Sequence, residues 1–227
     1  MLDFNYYSPI YYEFGKNKEE LVGKMIKERG YKKVLLHYGG NFVFESGLLD
    51  KIKEYLNIEN IEFVCLGGVK ANPESDLVYE GIELCRKNNV DFILAIGGGS
   101  VIDSSKAIAA GTLYDGDFWD FFDNLNRKEI KESLPVGVVL TIAAAVSEGS
   151  PSMVITNSVT REKRGNIKCD IVRPVFAIMN PLLTMTLSNY QTACGIVDIM
   201  THVIERYFSN IEKMKESFIK FANGRDK

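Results

Sequence analysis

The sequence predicts an α/β fold in which helices cover both faces of a parallel sheet. Apolar runs of strand length alternate with helical patterns between residues 32 and 111. The connections between these segments are short, as in chains that build a parallel sheet from strand–helix–strand units. The apolar runs are continuous rather than alternating, which is typical of strands that are buried on both faces.

The alternation begins after an N-terminal segment of different character. Residues 4–16 are rich in tyrosine and phenylalanine and predict a strand or a hairpin, and residues 17–29 have the apolar spacing of a helix. The alternating region then predicts three strands and three helices. The strands are expected at 32–38, 61–68 and 91–99, and the helices at 45–57, 74–89 and 100–111.

After residue 111 the pattern loosens. Residues 114–124 are aromatic and acidic and predict a surface segment. Strands are expected at 135–145 and 173–181, with a strand–turn–strand unit between them at 152–167. A helix is expected at 191–208, where apolar residues recur at three- and four-residue intervals, and a short amphipathic helix at 211–227.

The composition excludes several classes of protein. The net charge of −3 over 227 residues argues against nucleic acid as a partner, because phosphate binding needs a basic face. No apolar run approaches the ~18 residues that a membrane span needs. The N-terminus lacks the basic and apolar regions of a secretory signal. We therefore expect a soluble, cytoplasmic protein that does not bind membranes.

The four cysteines form no CxxC pair. Cys65 and Cys85 fall in apolar strand and helix patterns, so we expect buried free thiols there rather than a disulfide or a metal site.

The sequence AIGGGSVIDSSKAIAAG, residues 95–111, places three glycines between a predicted strand and a predicted helix. Ligands of open α/β sheets bind beyond the carboxyl ends of the strands. Backbone amides at a helix N-terminus bind phosphate, and glycine lets the phosphate approach the main chain. Asp103 falls in the first helical turn, where an acid complements the helix dipole. The alternative is a tight strand-to-helix turn without a ligand.

Turn residues also follow the two preceding strands. Gly39 and Gly40 end the first strand of the alternating region, and Asn72 and Pro73 follow the second. Because parallel strands end at one edge of the sheet, these turns would line one rim with the glycines at 97–99. The three turns together predict a site of dinucleotide size, although the spacing is not the GxGxxG of the Rossmann fingerprint.

Asp198 and His202 lie four residues apart in a predicted helix and therefore share one face. A carboxylate and an imidazole on one face can hold a divalent metal such as iron or zinc. The alternative is a hydrogen-bonded pair in a helix packing surface. His37, the other histidine, lies inside a predicted strand, where a packing role is expected.

Five motifs occur in a specific order: HYGGNF, GGVKANP, AIGGGSVIDSSKAIA, PVGVVLTIAA and YQTACGIVDIMTHVIERYF. In these motifs residues 1–210 resemble the iron-containing alcohol dehydrogenases, and most of all the butanol dehydrogenase branch. The resemblance implies a dehydroquinate synthase-like fold. An α/β NAD(P)-binding domain would span 1–181, and 182–227 would begin an all-helical, metal-binding domain.

The resemblance also implies a reaction. Hydride would pass between a nicotinamide cofactor and a primary alcohol or aldehyde, while a divalent iron or zinc ion polarises the substrate oxygen. Asp198 and His202 match the first two of the family's four metal ligands. The residues that match cofactor-contacting positions are Gly39, Gly40, Asn72, Gly98, Gly99, Ser100, Val101, Asp103 and Thr141.

Gly39 matches the position where members that prefer NAD hold an acidic residue for the ribose 2′-hydroxyl. A glycine removes the charge that would repel a 2′-phosphate, so NADP(H) is expected over NAD(H).

The chain departs from the family at several positions. No histidine follows His202, so the other two metal ligands are missing. The family's T-G-S-E is replaced by the residues at 145–148, its Gly-Ser by Asn41 and Phe42, and its aspartate before Pro181 by Asn180. We therefore expect a C-terminally truncated member with impaired catalysis and an incomplete metal site.

Two alternatives remain. One is a non-catalytic nucleotide-binding or interaction fragment, which could pair with a full-length relative through residues 4–16. The other is a lyase or another dehydrogenase on the same fold, against which the motif at 197–208 argues. A homodimer through residues 4–16 is also expected as a possible assembly of this chain.

Overall fold

The computed structural model describes residues 7–123, 126–144, 146–165 and 169–208, without the side chain of Arg206. The chain divides into two compact units, Met1–Met185 and Thr186–Lys227. The domain boundary predicted at residue 181, and the roles of the two domains, stay predictions. The helix expected at 211–227 and the start of segment 4–16 lie outside the described residues.

The first unit is built on a six-stranded parallel sheet, whose strands are β1 Tyr11–Phe14, β2 Lys33–Gly39, β3 Glu62–Val69, β4 Phe92–Gly97, β5 Val136–Leu140 and β8 Phe176–Met179. Their order across the sheet is β1-β8-β5-β4-β2-β3. Two short antiparallel strands, β6 Ile155–Thr156 and β7 Lys163–Arg164, form a separate hairpin. The predicted parallel sheet is thus confirmed.

Helices cover both faces of the sheet. The helices of this unit are α1 Val22–Glu28, α2 Phe42–Glu45, α3 Leu48–Ile58, α4 Ser75–Asn88 and α5 Gly99–Thr112. On one face, Ile82 of α4 and Ile108 of α5 join the same apolar cluster as Leu35 of β2. On the other face, side chains of α1 and α3 pack with the alternate residues of the strands. Because both faces are buried, the strand sequences are apolar throughout.

The segment at 114–124 differs from its prediction. Phe118, Phe121 and Phe122 are buried in a short 3₁₀ helix, Phe118–Phe122, rather than displayed on the surface. The segment combines acidic and aromatic residues because the two kinds have different roles. Asp117 accepts the amide of Trp119 and caps this turn, while the phenylalanines point inward. A single 3₁₀ turn is too short to show a periodic pattern.

The cysteines are free, as expected, but only one of the two predicted to be buried is so. Cys85 in α4 is buried, whereas Cys65 is exposed. Cys65 lies on β3, which is the edge strand of the sheet. A strand at the edge of a sheet is covered less completely than a central strand, and Cys65 is therefore accessible to solvent.

The second unit contributes the described helix α6, Asn189–Phe208. Its apolar positions, among them Ile196, Met200 and Val203, are exposed. Within the described part of the chain, the structure contains no helix with the length and apolar character needed to cross a membrane.

Candidate functional site

The carboxyl ends of β2 and β4 border a crevice of the sheet. These strands are neighbours, but the chain leaves β2 toward β3 on one side and leaves β4 toward β5 on the other. Such a point, where successive connections diverge, is where ligands bind in open α/β sheets. Gly39 ends β2 and Gly97 ends β4, so the glycines predicted to line one rim lie on the two sides of this crevice.

Gly97 and Gly98 have packing reasons to be glycine. A β-carbon on Gly97 would lie 2.5 Å from Val101 Cγ2, and one on Gly98 would collide with Ile142 Cγ2. Gly99 is less confined, because a β-carbon there would lie 3.3 Å from Ser147 Oγ. A tight turn without a ligand therefore explains why Gly97 and Gly98 are glycine. It does not explain Gly99, where a small side chain would nearly fit.

The N-terminus of α5 lies at this point. Gly98 is the N-cap residue, and its carbonyl oxygen accepts the amides of Val101 and Ile102 at 3.0 and 3.1 Å. The first amides of a helix, here those of Gly99 and Ser100, have no partner inside the helix. With the positive end of the helix dipole, they form a site for a phosphate oxygen.

Gly39 is also fixed by close packing. A β-carbon on Gly39 would lie 2.8 Å from the carbonyl oxygen of Val69 and 3.3 Å from Val101 Cγ2. Val101 therefore packs against the glycines at the ends of both β2 and β4. The next residue, Gly40, has a φ of 53°, a left-handed conformation that glycine adopts without strain. The absence of an acidic residue at position 39 thus has a steric cause in this chain.

Asn72 lies in the loop that follows β3. It has a left-handed φ of 59°, and its Oδ1 accepts a 2.6 Å hydrogen bond from Lys163 Nζ of the β6–β7 hairpin. The hairpin is also joined to this loop through the amide of Thr156, which donates to the carbonyl oxygen of Pro73 at 2.9 Å. The loop after β3 is therefore supported by the hairpin rather than free.

Asp103 lies in the second turn of α5 and not in the first, as was predicted, because the helix begins at Gly99, and its side chain is mostly buried. Its Oδ2 accepts the amide of Val154 at 3.0 Å, and its Oδ1 is buried without a partner among the described residues. Burial raises the pKa of this carboxyl group, and the nearby Lys106 ammonium opposes the rise. A buried carboxylate oxygen without a donor is a group that a bound ligand or water could satisfy.

Thr141 and the segment after it close the crevice from the side of β5. The Thr141 amide donates to the carbonyl oxygen of Gly97 at 3.2 Å, which joins the ends of β5 and β4. Val146 follows in a left-handed conformation with φ 58° and ψ 36°. The resemblance places a glycine at this position, and the backbone here keeps the conformation that glycine would adopt although valine is β-branched. Residue 145 lies outside the described residues.

Lys106 is the residue that the sequence analysis missed. It lies in α5, is fully buried, and donates to the carbonyl oxygens of Ser147, Ser150 and Ser152. Burial lowers its pKa from the ordinary 10.5 to about 8. The available signal was a lysine within an otherwise small and apolar helix sequence, between Ser105 and Ala107.

His37 has the packing role that was predicted. It is fully buried, with Nδ1 2.9 Å from the carbonyl oxygen of Leu66 and Nε2 2.9 Å from Ser104 Oγ. Burial lowers the pKa of the imidazole to about 4, so it is neutral at pH 7. A neutral ring has one donor, and the Leu66 carbonyl can only accept, so Nδ1 carries the proton and Nε2 accepts from Ser104.

Asp198 and His202 are placed in α6 as predicted. His202 Nε2 lies 3.8 Å from Asp198 Oδ2, and both side chains are largely exposed. Within the described residues no group of three or more histidine, cysteine, aspartate or glutamate side chains is arranged to hold a metal ion. Protein metal sites of this type use three or four protein ligands. The described donor set is therefore not sufficient for the metal that the resemblance implies.

Comparisons with known proteins show which family this chain is similar to. The sequence model described as iron-containing alcohol dehydrogenase matches residues 9–181. NADH-dependent butanol dehydrogenase A of Clostridium acetobutylicum is 45% identical over 212 residues, which cover 93% of this chain and 54% of that protein. NADPH-dependent aldehyde reductase YqhD of Escherichia coli is 36% identical over 210 residues, covering 91% and 52%.

A solved structure extends the similarity to the fold. The crystal structure of NADH-dependent butanol dehydrogenase A of Thermotoga maritima superposes with a TM-score of 0.85 at 39% identity, over 91% of this chain and 51% of that one. The chain thus spans about half the length of these relatives. The matched family segment contains the crevice and the N-terminus of α5, and it ends before α6.

Proposed function

Because this chain belongs to the iron-containing alcohol dehydrogenase family, we propose that it binds a nicotinamide dinucleotide in the crevice between the ends of β2 and β4. The observation that carries the proposal is the N-terminus of α5, which has no side chain at Gly98 or Gly99 and lies at the switch point of the sheet. The amides of Gly99 and Ser100 would hold the pyrophosphate.

The proposed reaction is reversible hydride transfer between the cofactor and a primary alcohol or aldehyde. Support comes from the relatives, which are named butanol dehydrogenases and an aldehyde reductase. The nicotinamide supplies the hydride chemistry when it is bound. The residues of this chain bind and orient it: the amides of α5 hold phosphate, and the loops after β3 and β5 border the site.

No step of the proposed reaction is assigned to a metal ion. Asp198 and His202 are two donors, and a site with two protein ligands leaves most of the coordination sphere to water, which lowers metal affinity. We propose that the isolated 227-residue chain turns over slowly for this reason. Purified chain mixed with NADPH and butanal, with and without added Fe(II) or Zn(II), tests the point. Metal-dependent NADPH oxidation at a rate typical of alcohol dehydrogenases would refute it.

We extend the proposal to a preference for NADP(H). Its support is that Gly39 offers no carboxylate to repel a 2′-phosphate at the end of β2. The names of the relatives include both cofactors, because the butanol dehydrogenases are called NADH-dependent and the aldehyde reductase is called NADPH-dependent. Dissociation constants for NADPH and NADH, measured side by side, test the preference. Tighter binding of NADH would refute it.

A second candidate function is a nucleotide-binding module without turnover. It is favoured by one observation: the features of a phosphate site are together in the first unit, whereas the described residues contain no group of three or more side chains arranged to hold a metal ion. Dinucleotide binding without NADPH oxidation, in a chain that unfolds cooperatively, would support this function over the enzymatic one.

We also propose that the chain forms a homodimer through the segment at 4–16. β1 is an edge strand of the sheet, and Tyr11, Tyr12 and Phe14 are exposed along it. Edge strands with exposed apolar side chains pair readily with a second chain. Sedimentation of the wild type and of Phe14→Lys tests this, and a monomeric wild type at micromolar concentration would refute it.

A cytoplasmic location completes the proposal. Its support is that all four cysteines are free thiols, which is the usual state in a reducing compartment. Fractionation of cells that produce the protein would test it.

A further inference from the structure

Lys106 ties a distant segment of the chain to α5. Its ammonium donates to the carbonyl oxygens of Ser147, Ser150 and Ser152 at 2.7, 2.8 and 2.8 Å. These carbonyls belong to residues 147–152, which we call the serine loop. An ammonium has three N–H donors, so Lys106 uses all of them on one loop.

The serine loop stands beside the phosphate site. Ser147 Oγ lies 3.3 Å from the position that a β-carbon on Gly99 would occupy. Other contacts also hold the loop: the Cys169 amide donates to the carbonyl oxygen of Pro151, and Arg173 donates to that of Gly149. Lys106 donates from α5 to the carbonyl oxygen of Ser147, the residue whose hydroxyl faces Gly99, and it therefore helps to set the space above Gly99.

Burial of the Lys106 ammonium makes an unfavourable contribution to the stability of the fold. An ammonium taken out of water needs all its hydrogen bonds satisfied, and a buried apolar side chain of the same size is often as stabilising or more so. The charged groups of the described residues that act on it are Asp103 of its own helix, Glu148 of the serine loop and Arg173 beyond it. One of these repels the ammonium, so charge pairing does not fully offset its burial.

We propose that Lys106 is a positioning residue of the dinucleotide site, which holds the serine loop at the distance from Gly99 that the pyrophosphate needs. This inference rests on the proposed function, because it concerns the same site. It assigns Lys106 an effect on cofactor affinity that exceeds its effect on the stability of the fold.

A matched control exists at the other end of α5. Arg86 of α4 also donates to three carbonyl oxygens, those of Gly111, Thr112 and Tyr114, far along the helix from Gly99. Arg86→Met therefore removes a similar three-bond tie away from the crevice. Lys106→Met removes all donors, and Lys106→Gln keeps two N–H donors without the charge.

The test is the dissociation constant of NADPH and of NADH for each variant, with amide hydrogen exchange over 147–152 in the absence of cofactor. Lys106→Met should weaken binding of the preferred dinucleotide at least ten-fold and speed exchange in the serine loop. Lys106→Gln should bind with intermediate affinity. Arg86→Met should stay within two-fold of the wild type in affinity and leave the exchange of the loop unchanged.

Wild-type affinity in Lys106→Met, or an equal loss in Arg86→Met, would overturn the inference. If Lys106→Met does not fold, Lys106→Gln serves as the test. A three-fold loss of dinucleotide affinity is expected for this variant, and wild-type affinity would contradict the inference. If the wild type binds neither dinucleotide, the proposed function fails and the effect on affinity fails with it. The exchange measurement then still tests whether Lys106 holds the serine loop. Unchanged exchange of the loop in both Lys106 variants would overturn that part of the inference as well.

Discussion

Asn180 Nδ2 donates a 2.8 Å hydrogen bond to Glu19 Oε2, and both side chains are buried. The same amide group caps the turn that follows β8, because its Oδ1 accepts the amide of Leu182 at 3.0 Å. The resemblance places an aspartate at position 180, and an aspartate would face Glu19 without a donor. The asparagine is therefore matched to the buried glutamate of this chain.

Asn180→Asp should lower the free energy of unfolding by about 2 kcal/mol or more at pH 7, because it sets two buried carboxyl groups in contact. One group must be protonated in the folded state, so its folded pKa lies above the unfolded value near 4. The difference in the free energy of unfolding between the wild type and Asn180→Asp should thus be small near pH 4 and grow as the pH rises. Urea unfolding at several pH values measures it. Asn57→Asp, at an exposed position of α3, is the control and should show little change.

Val146 offers a substitution that should stabilise the fold. Its left-handed backbone, with φ 58°, is strained for a β-branched residue, and its side chain is exposed, so little packing would be lost. Val146→Gly should raise the free energy of unfolding by about 1 kcal/mol. Val159→Gly, at another exposed valine that lacks a positive φ, is the control and should not stabilise. A loss of stability in Val146→Gly would contradict the strained conformation.

His37 should make stability fall in acid. Its folded pKa of about 4 is below the unfolded 6.5, so the unfolded chain binds more protons between these values. Stability is therefore complete above pH 6.5 and is lost as the pH falls toward 4, by about 2 kcal/mol at pH 5. His37→Gln, which keeps a donor and an acceptor, should lack this component. Parallel acid-dependent losses in both proteins would show that His37 is not its source.

The glycines at 98 and 99 should respond differently to alanine. Gly98→Ala forces a β-carbon against Ile142 and should lower the free energy of unfolding by about 1–3 kcal/mol. Gly99→Ala meets only the movable Ser147 hydroxyl at 3.3 Å and should leave stability nearly unchanged. It should nevertheless weaken dinucleotide binding at least ten-fold, because the β-carbon occupies the approach to the α5 amides. Unchanged affinity in Gly99→Ala would favour a turn without a ligand.

The sequence allowed the sheet, its helices and the line of turns at its carboxyl edge to be predicted. Local patterns carry that information: continuous apolar runs mark β2 and β4, and helical spacing marks α3 and α4. The short 3₁₀ helix at Phe118 was mistaken for a surface segment, because composition does not show which way a single turn faces.

Contacts between distant residues could not be predicted. Lys106 and Ser152 are 46 residues apart, and no local pattern marks their hydrogen bond. Likewise, Gly39 was interpreted as a turn residue and through cofactor charge, whereas its contact with Val69 emerges only when β2 and β3 are paired. The positions of the turns at the carboxyl edge of the sheet were thus predicted, and the packing that constrains their residues was not.

The central claim is that a nicotinamide dinucleotide binds where Gly99 and Ser100 begin α5, and amide hydrogen exchange with saturating NADPH or NADH tests it most directly. The account predicts slower exchange at the start of α5, in peptides over 97–103, and in the turn at 39–41. It predicts no change in α3, residues 48–58, which covers the sheet without a residue in the crevice. Unaltered exchange at 97–103 with both dinucleotides would contradict it.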